Sequence, residues 1–171
     1  MKGYLQVYTG NGKGKTTAAI GLAIRAAGAG LPVLFAQFVK GMKYSEIAAL
    51  ERYKDLITIR QYGRGCFIER EAANEDIVEA GKGIEDVEKA LSDGKYSLVI
   101  LDEANIAIHC KLFSVEKLLQ VINNKNQNCE VVVTGRYAPQ ELLDAADLVT
   151  EMKEIKHYYA KGVEARVGIE R

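Results

Sequence analysis

The sequence predicts an α/β protein in which a mainly parallel sheet is covered on both faces by helices. Three observations carry this expectation. Short β-type runs alternate with longer helical ones along the chain, the pattern of parallel strands joined by crossover helices. Val33–Phe38 reads as an apolar run, as expected of a strand buried on both faces. A glycine-rich stretch, Gly10-Asn11-Gly12-Lys13-Gly14, separates the first strand from the first helix.

The elements follow in order. Tyr4–Tyr8 is the first strand, and Thr16–Ala29, rich in Ala, Ile and Leu, is a helix ended by Gly28 and Gly30. After the Val33–Phe38 strand come a helix over Ser45–Tyr53 and an alternating strand over Ile57–Tyr62. Glu71–Leu91 is the longest helix, with Ile77, Ala80, Ile84, Val87 and Leu91 on one face. Strand Leu98–Leu101 precedes helix Val115–Ile122, for which Ser114 is the N-cap. Strand Val131–Thr134, helix Pro139–Ala145 with Pro139 at its first position, and strand Leu148–Met152 complete the pattern. No element is assigned beyond Met152. Without a linker, low-complexity tract or internal repeat, the reading is one domain over residues 1–171.

Composition narrows the function classes. The 171 residues carry 23 Lys+Arg and 23 Asp+Glu, a formal net charge of zero. Bulk-charge binding to nucleic acid is therefore not expected. The charge is nevertheless unevenly distributed: +7 over residues 1–64, −7 over 65–104 and 0 over 105–171. Such asymmetry points to where charged ligands sit. Cys66, Cys110 and Cys129 form no Cys-x-x-Cys pair, which fits a reducing compartment better than a disulfide framework. No apolar stretch reaches the ~18 residues of a membrane span, and no secretory segment fits the polar start of the chain. The expected location is cytoplasmic, with no membrane partner.

The strongest chemical signal is Gly10-Asn11-Gly12-Lys13-Gly14-Lys15-Thr16. Phosphate oxygens need several converging backbone N–H groups, and closely spaced glycines let the chain wrap that tightly. The helix that follows adds its positive N-terminal end. In this reading Lys15 reaches phosphate oxygens and the Thr16 hydroxyl ligates Mg²⁺. The general pattern places its first glycine where this chain has Thr9. A glycine-rich turn without ligand is the plain alternative, opposed by the strand–loop–helix context. Leu98-Val99-Ile100-Leu101-Asp102-Glu103 ends an apolar strand in two carboxylates, which would complete a Mg²⁺ shell or orient an attacking group. Arg136, after the Val131–Thr134 strand, is an anion contact or a surface ion pair. These motifs alone also suit a P-loop ATPase, a small-molecule kinase or a nucleotide-binding regulatory module. No catalytic base stands out by spacing.

Read together, the residues resemble the P-loop class of ATP:corrinoid adenosyltransferases of cobalamin biosynthesis and salvage. The resemblance rests on Thr9-Gly10-Asn11-Gly12-Lys13-Gly14-Lys15-Thr16-Thr17, Leu22-Ala23-Ile24-Arg25-Ala26-Ala27-Gly28 and Gln37-Phe38-x-Lys40-Gly41. It continues through Leu101-Asp102-Glu103, Val133-Thr134-Gly135-Arg136, Ala146-Asp147-Leu148-Val149-Thr150-Glu151-Met152, Lys156-His157 and Gly168-Ile169-Glu170. The first of these also accounts for Thr9 at the usual glycine position.

The resemblance implies a P-loop NTPase (RecA-like) fold and transfer of the adenosyl group of ATP to a reduced corrinoid. Cobalt(I) attacks the 5′-carbon and triphosphate leaves, so no protein nucleophile or base is needed. The implied ATP contacts are Thr9, Gly10, Asn11, Gly12, Lys13, Gly14, Lys15, Thr16, Thr17 and Arg136. Thr16 and Glu103 would hold Mg²⁺, with Asp102 in or near that shell. In the family the triphosphate lies in the loop in the sense opposite to that of ordinary P-loop NTPases. Arg25, His157 and Phe67 are the candidate corrinoid contacts. Phe67 lies between Cys66 and Ile68, which occupy the positions of the family's aromatic pair. Cys66 itself reads as a small apolar residue. A homodimer and an electron-donor flavoprotein are the implied partners.

Overall fold

The structure is a computed structural model that describes residues 2–41, 44–64 and 72–170. In chain order the elements are β1 (Leu5–Thr9), α1 (Lys15–Gly28), β2 (Val33–Phe38), α2 (Ser45–Leu50) and β3 (Ile57–Tyr62). Then come α3 (Asn74–Ser92), β4 (Leu98–Asp102), α4 (Ala104–His109), α5 (Val115–Asn123), β5 (Glu130–Thr134), α6 (Gln140–Ala145) and β6 (Leu148–Glu151). Short 3₁₀ turns follow α2 at Glu51–Tyr53 and lie in the tail at Tyr158–Lys161. The six strands form one sheet in the order β3-β2-β4-β5-β1-β6, with every pairing parallel. This is the α/β, P-loop NTPase-like architecture that the sequence predicts.

Alternation along the central strands explains the two helical layers. Val33 and Phe35 of β2, Leu98 and Ile100 of β4 and Val132 of β5 pack with Ala19, Ala23, Ala26 and Ala27 of α1 and Leu50 of α2. The intervening Leu34, Ala36, Phe38, Val99, Leu101, Val131 and Val133 face the opposite way, against α3, α5 and α6. Side chains of a strand alternate between faces, so both sets must be apolar when helices cover both sides. The alanines of α1 let that helix approach the sheet closely. β6 is an edge strand whose residues are all exposed. Among the described residues no helix is long and apolar enough to cross a membrane.

Two expectations are corrected, and one helix is added. Ile77 begins the predicted stripe of α3 but is 42% exposed, while Ala80, Ile84, Val87 and Leu91 are buried. The helix starts at Asn74, after an extended Ala73, so Ile77 lies in the first turn, away from the centre of the packing face. Pro139 is the N-cap of α6, with ψ at 150°, rather than its first residue. Its ring fixes φ near −68°, a value both positions share, so the sequence could not separate them. α4 was not expected at all: it has six residues and begins from a left-handed Glu103 at φ 59°. Ser114 caps α5 as predicted, accepting the Lys117 N–H at 3.2 Å.

One glycine in α3 is a packing requirement. A Cβ on Gly83 would lie 2.6 Å from the Tyr62 ring and 2.8 Å from that of Phe38. Those rings also contact each other at a centroid distance of 5.4 Å. Gly83→Ala is therefore expected to cost about 1–3 kcal/mol through overpacking, a fall of several degrees in Tm. Gly81 has open space around its Cβ position, so Gly81→Ala is expected to be neutral or stabilising by up to ~1 kcal/mol. Equal melting temperatures for the two variants would contradict this packing.

Candidate active site

The site is built at the carboxyl ends of the central strands, where ligands bind in open parallel sheets. Thr9 is the last residue of β1 and pairs in register with Glu151 of β6. It remains part of a strand, so that position does not require glycine. The positive φ angles belong to Gly10 at 92° and Gly14 at 121°, and Gly14 is the N-cap of α1. The chain leaving β6 runs directly against this loop. The Gly12 N–H donates to the Met152 carbonyl at 2.6 Å, and the Met152 N–H donates to the Thr9 carbonyl at 2.8 Å. A Cβ on Gly10 or Gly12 would lie 2.5 or 2.6 Å from that Met152 oxygen. Two of the loop glycines thus make room for the tail backbone, beyond any phosphate they approach.

Lys15 is buried, and its ammonium donates to the carbonyls of Gly10 at 2.6 Å and Gly12 at 2.8 Å. Burial pushes its pKa below the ordinary lysine value; Arg136 acts in the same direction, and Glu103 and Asp102 oppose it. A lysine folded onto its own loop is a charge available to an arriving anion.

The second half of the site centres on Asp102, which is fully buried. Its Oδ1 accepts from the Thr16 hydroxyl at 2.8 Å and the Thr134 hydroxyl at 2.7 Å, and its Oδ2 accepts from Gln37 Nε2 at 3.0 Å. The Lys40 ammonium lies 3.6 Å from Asp102 Oδ2 and 3.7 Å from Glu103 Oε1. The Glu103 N–H donates to the Thr134 hydroxyl at 3.1 Å. Burial and the neighbouring Asp102 raise the Glu103 pKa, against the charges of Lys40, Lys15 and Arg136. Asn105 of α4 donates to the Gly135 carbonyl at 3.0 Å, which ties α4 to the turn that carries Arg136.

The structure gathers Thr9, Gly10, Gly12, Gly14, Lys15, Thr16, Asp102 and Glu103 in one region, and the exposed Arg136 acts electrostatically on Lys15 and Glu103. Asn11 and Thr17 are exposed, on the loop and in the first turn of α1. Lys13 is engaged by the tail: its ammonium donates to the Ile169 carbonyl at 2.5 Å and lies 3.2 Å from Glu170 Oε1. Arg25 sits in the last turn of α1, ten residues and so about 15 Å along the axis from Lys15. His157 caps the 3₁₀ turn of the tail, accepting the Tyr159 N–H at 3.1 Å. Phe67, with Cys66 and Ile68, lies outside the described residues. Gln37, Lys40, Thr134 and Asn105 received no role from the sequence. Gln37, Lys40 and Thr134 stand in motifs that carry the family resemblance, and Gln37 is also a glutamine within the otherwise apolar β2.

The donor set around Asp102 is a hydroxyl and two carboxylates, hard oxygen ligands suited to Mg²⁺. An ammonium group already bridges the carboxylates, so the geometry of the pair accepts a cation. No cluster of three metal-ligating His, Cys, Asp or Glu occurs among the described residues.

Comparison with known proteins agrees. The family model described as ATP:corrinoid adenosyltransferase BtuR/CobO/CobP matches residues 1–171. A corrinoid adenosyltransferase of Pseudomonas aeruginosa is 36% identical over 99% of this chain and 84% of its own length. One of Escherichia coli is 32% identical over 99% of the chain and 86% of its own length. An uncharacterized protein of Nostoc sp. is 40% identical over 92% of the chain, which spans only 45% of that longer protein. With a pattern that runs through the phosphate loop, the acidic strand end and the tail alike, the chain belongs to the ATP:corrinoid adenosyltransferase family.

Proposed function

We propose that this protein, acting as one domain over residues 1–171, transfers the 5′-deoxyadenosyl group of ATP to the cobalt(I) of a reduced corrinoid in adenosylcobalamin biosynthesis or salvage. The observation that carries the reading is the 2.8 Å contact between Thr16 of the phosphate loop and Asp102 of the acidic strand end. It joins an anion cradle to a cation-binding pair in a chain that matches the family from end to end.

The cobalt lone pair forms the cobalt–carbon bond at the 5′-carbon, the carbon–oxygen bond breaks, and its electron pair leaves with triphosphate. Charge develops on that leaving group, so the chain's task is to hold it and to orient the 5′-carbon. The Gly12 N–H is already bonded to Met152. The N–H groups of Lys15, Thr16 and Thr17, in the first turn of α1, have no partners within the helix and aim its positive end at the triphosphate. Lys15 exchanges the carbonyls of Gly10 and Gly12 for phosphate oxygens, and Arg136, whose charge is felt at Lys15 and Glu103, adds positive charge. Thr16, Asp102 and Glu103 would hold Mg²⁺, which when bound would supply charge neutralisation for the triphosphate. Further parts of the proposal are a cytoplasmic location, a homodimer and an electron-donor flavoprotein that keeps the cobalt reduced.

The test is the product. ATP with a strongly reduced corrinoid should yield a light-sensitive cobalt–carbon product and triphosphate in equal amounts. ADP and phosphate released at a comparable rate would overturn the reading in favour of an ATPase.

A further inference from the structure

Lys40 has no assigned part in this reaction, yet the fold goes to unusual lengths to place it. It lies two residues past the end of β2 and is only 9% exposed, although lysine is rarely buried without a partner. The residue before it, Val39, is buried with φ at +66°, a conformation that branched side chains adopt only under constraint. The constraint is visible on the other side. A Cβ on Gly41 would lie 2.2 Å from the Gly63 carbonyl oxygen, and one on Gly63 would lie 2.7 Å from the Lys40 nitrogen. The Val39 N–H also donates to the Tyr62 carbonyl at 3.2 Å. Pressed against the end of β3, residues 39–41 turn the Lys40 side chain inward, onto Asp102 and Glu103. The Tyr44 ring lies 5.5 Å from the same ammonium.

Two adjacent carboxylates, Asp102 fully buried and Glu103 with only 18% of its side chain exposed, repel each other and are poorly solvated. We infer that Lys40 is a built-in counter-cation for the Asp102–Glu103 pair, holding both carboxylates in place before a divalent ion arrives and competing with that ion for them. The inference rests on the assignment of the pair as the metal-binding carboxylates. It assigns Lys40 a positioning role: the residue sets how tightly the pair takes a divalent cation. A lysine that merely filled space would leave metal affinity unchanged or, by disordering the pair on its removal, would be needed for it.

The two possibilities give opposite signs. Mn²⁺ serves as the probe ion, titrated at pH 8 without ATP or corrinoid, with the free ion followed by electron paramagnetic resonance. Lys40→Met is expected to bind Mn²⁺ about tenfold more tightly than the wild type. In EDTA it should melt several degrees lower, with the difference narrowing as Mn²⁺ is added. Lys40→Arg, which keeps the charge, should stay close to wild type. If Lys40→Met does not fold, Lys40→Gln is read in the same way. Unchanged or weaker Mn²⁺ binding in the folded neutral variant would overturn the inference, as would the absence of Mn²⁺ binding by the wild-type protein. No substrate is present, so either failure leaves the adenosyl-transfer reading to be judged on its own products.

Discussion

Replacing Lys15 with alanine is expected to weaken ATP binding by about 10- to 100-fold, the value of one charge-assisted contact to phosphate. Adenosyl transfer at saturating ATP should fall by about a further 100-fold, because the same ammonium meets the charge that develops on the leaving triphosphate. The fold should survive. Alanine is the best helix former at the start of α1, and what is lost is a pair of hydrogen bonds to the loop's own carbonyls. Calorimetric titration with ATP, a rate measurement and a thermal melt separate these effects. Unchanged ATP affinity in a folded Lys15→Ala protein would remove the phosphate-loop assignment and with it the proposed chemistry.

Asp102 should show both structural and functional losses. It is fully buried, accepts three hydrogen bonds and lies beside one ammonium. Asp102→Ala would strand Thr16, Thr134, Gln37 and Lys40 without their common acceptor. Removing one partner of a buried charge pair costs about 3–5 kcal/mol, here a Tm fall on the order of 10 °C. Asp102→Asn keeps the shape but turns an amide N–H₂ toward donors, and it lowers the negative charge of the pair. Its Tm should fall less, while transfer should drop by at least ~100-fold, as expected when a fixed charge is lost from a preorganised site. An asparagine variant with wild-type transfer would show that Asp102 is a packing residue only, and thermal melts of the two variants beside initial rates decide the matter.

The legible parts of this protein are those encoded by neighbours in sequence. Most helix and strand periods, the Ser114 cap and the glycine-rich turn between β1 and α1 each depend on residues within a few positions of one another, and, Ile77, Pro139 and α4 apart, they stand close to where the sequence places them. The role of Gly10 and Gly12 was only half legible. Their spacing points to phosphate, but the Met152 carbonyl they clear lies 140 or more residues away. Lys13 shows the same limit. It stands in the most specific motif of the chain, yet its ammonium is bonded to the tail at Ile169 and Glu170. Arg166, Tyr158 and Lys13 hold the Glu170 carboxylate well below the usual carboxylate range. Nothing local in sequence signals that cluster.

The site's polar centre is the clearest division between the two sources. That Asp102 and Glu103 end an apolar strand, and that Lys15 and Thr16 open a helix behind a glycine-rich turn, was determined by the sequence alone, because both features are contiguous. That Gln37 and Lys40 join them was decided by the parallel pairing of β2 with β4, which sets Gln37 opposite Asp102. Pairing register is a non-local property, fixed by which faces of the strands must be buried beneath the two helical layers. The same packing that hides the apolar side chains therefore brings a lysine onto two carboxylates more than sixty residues along the chain.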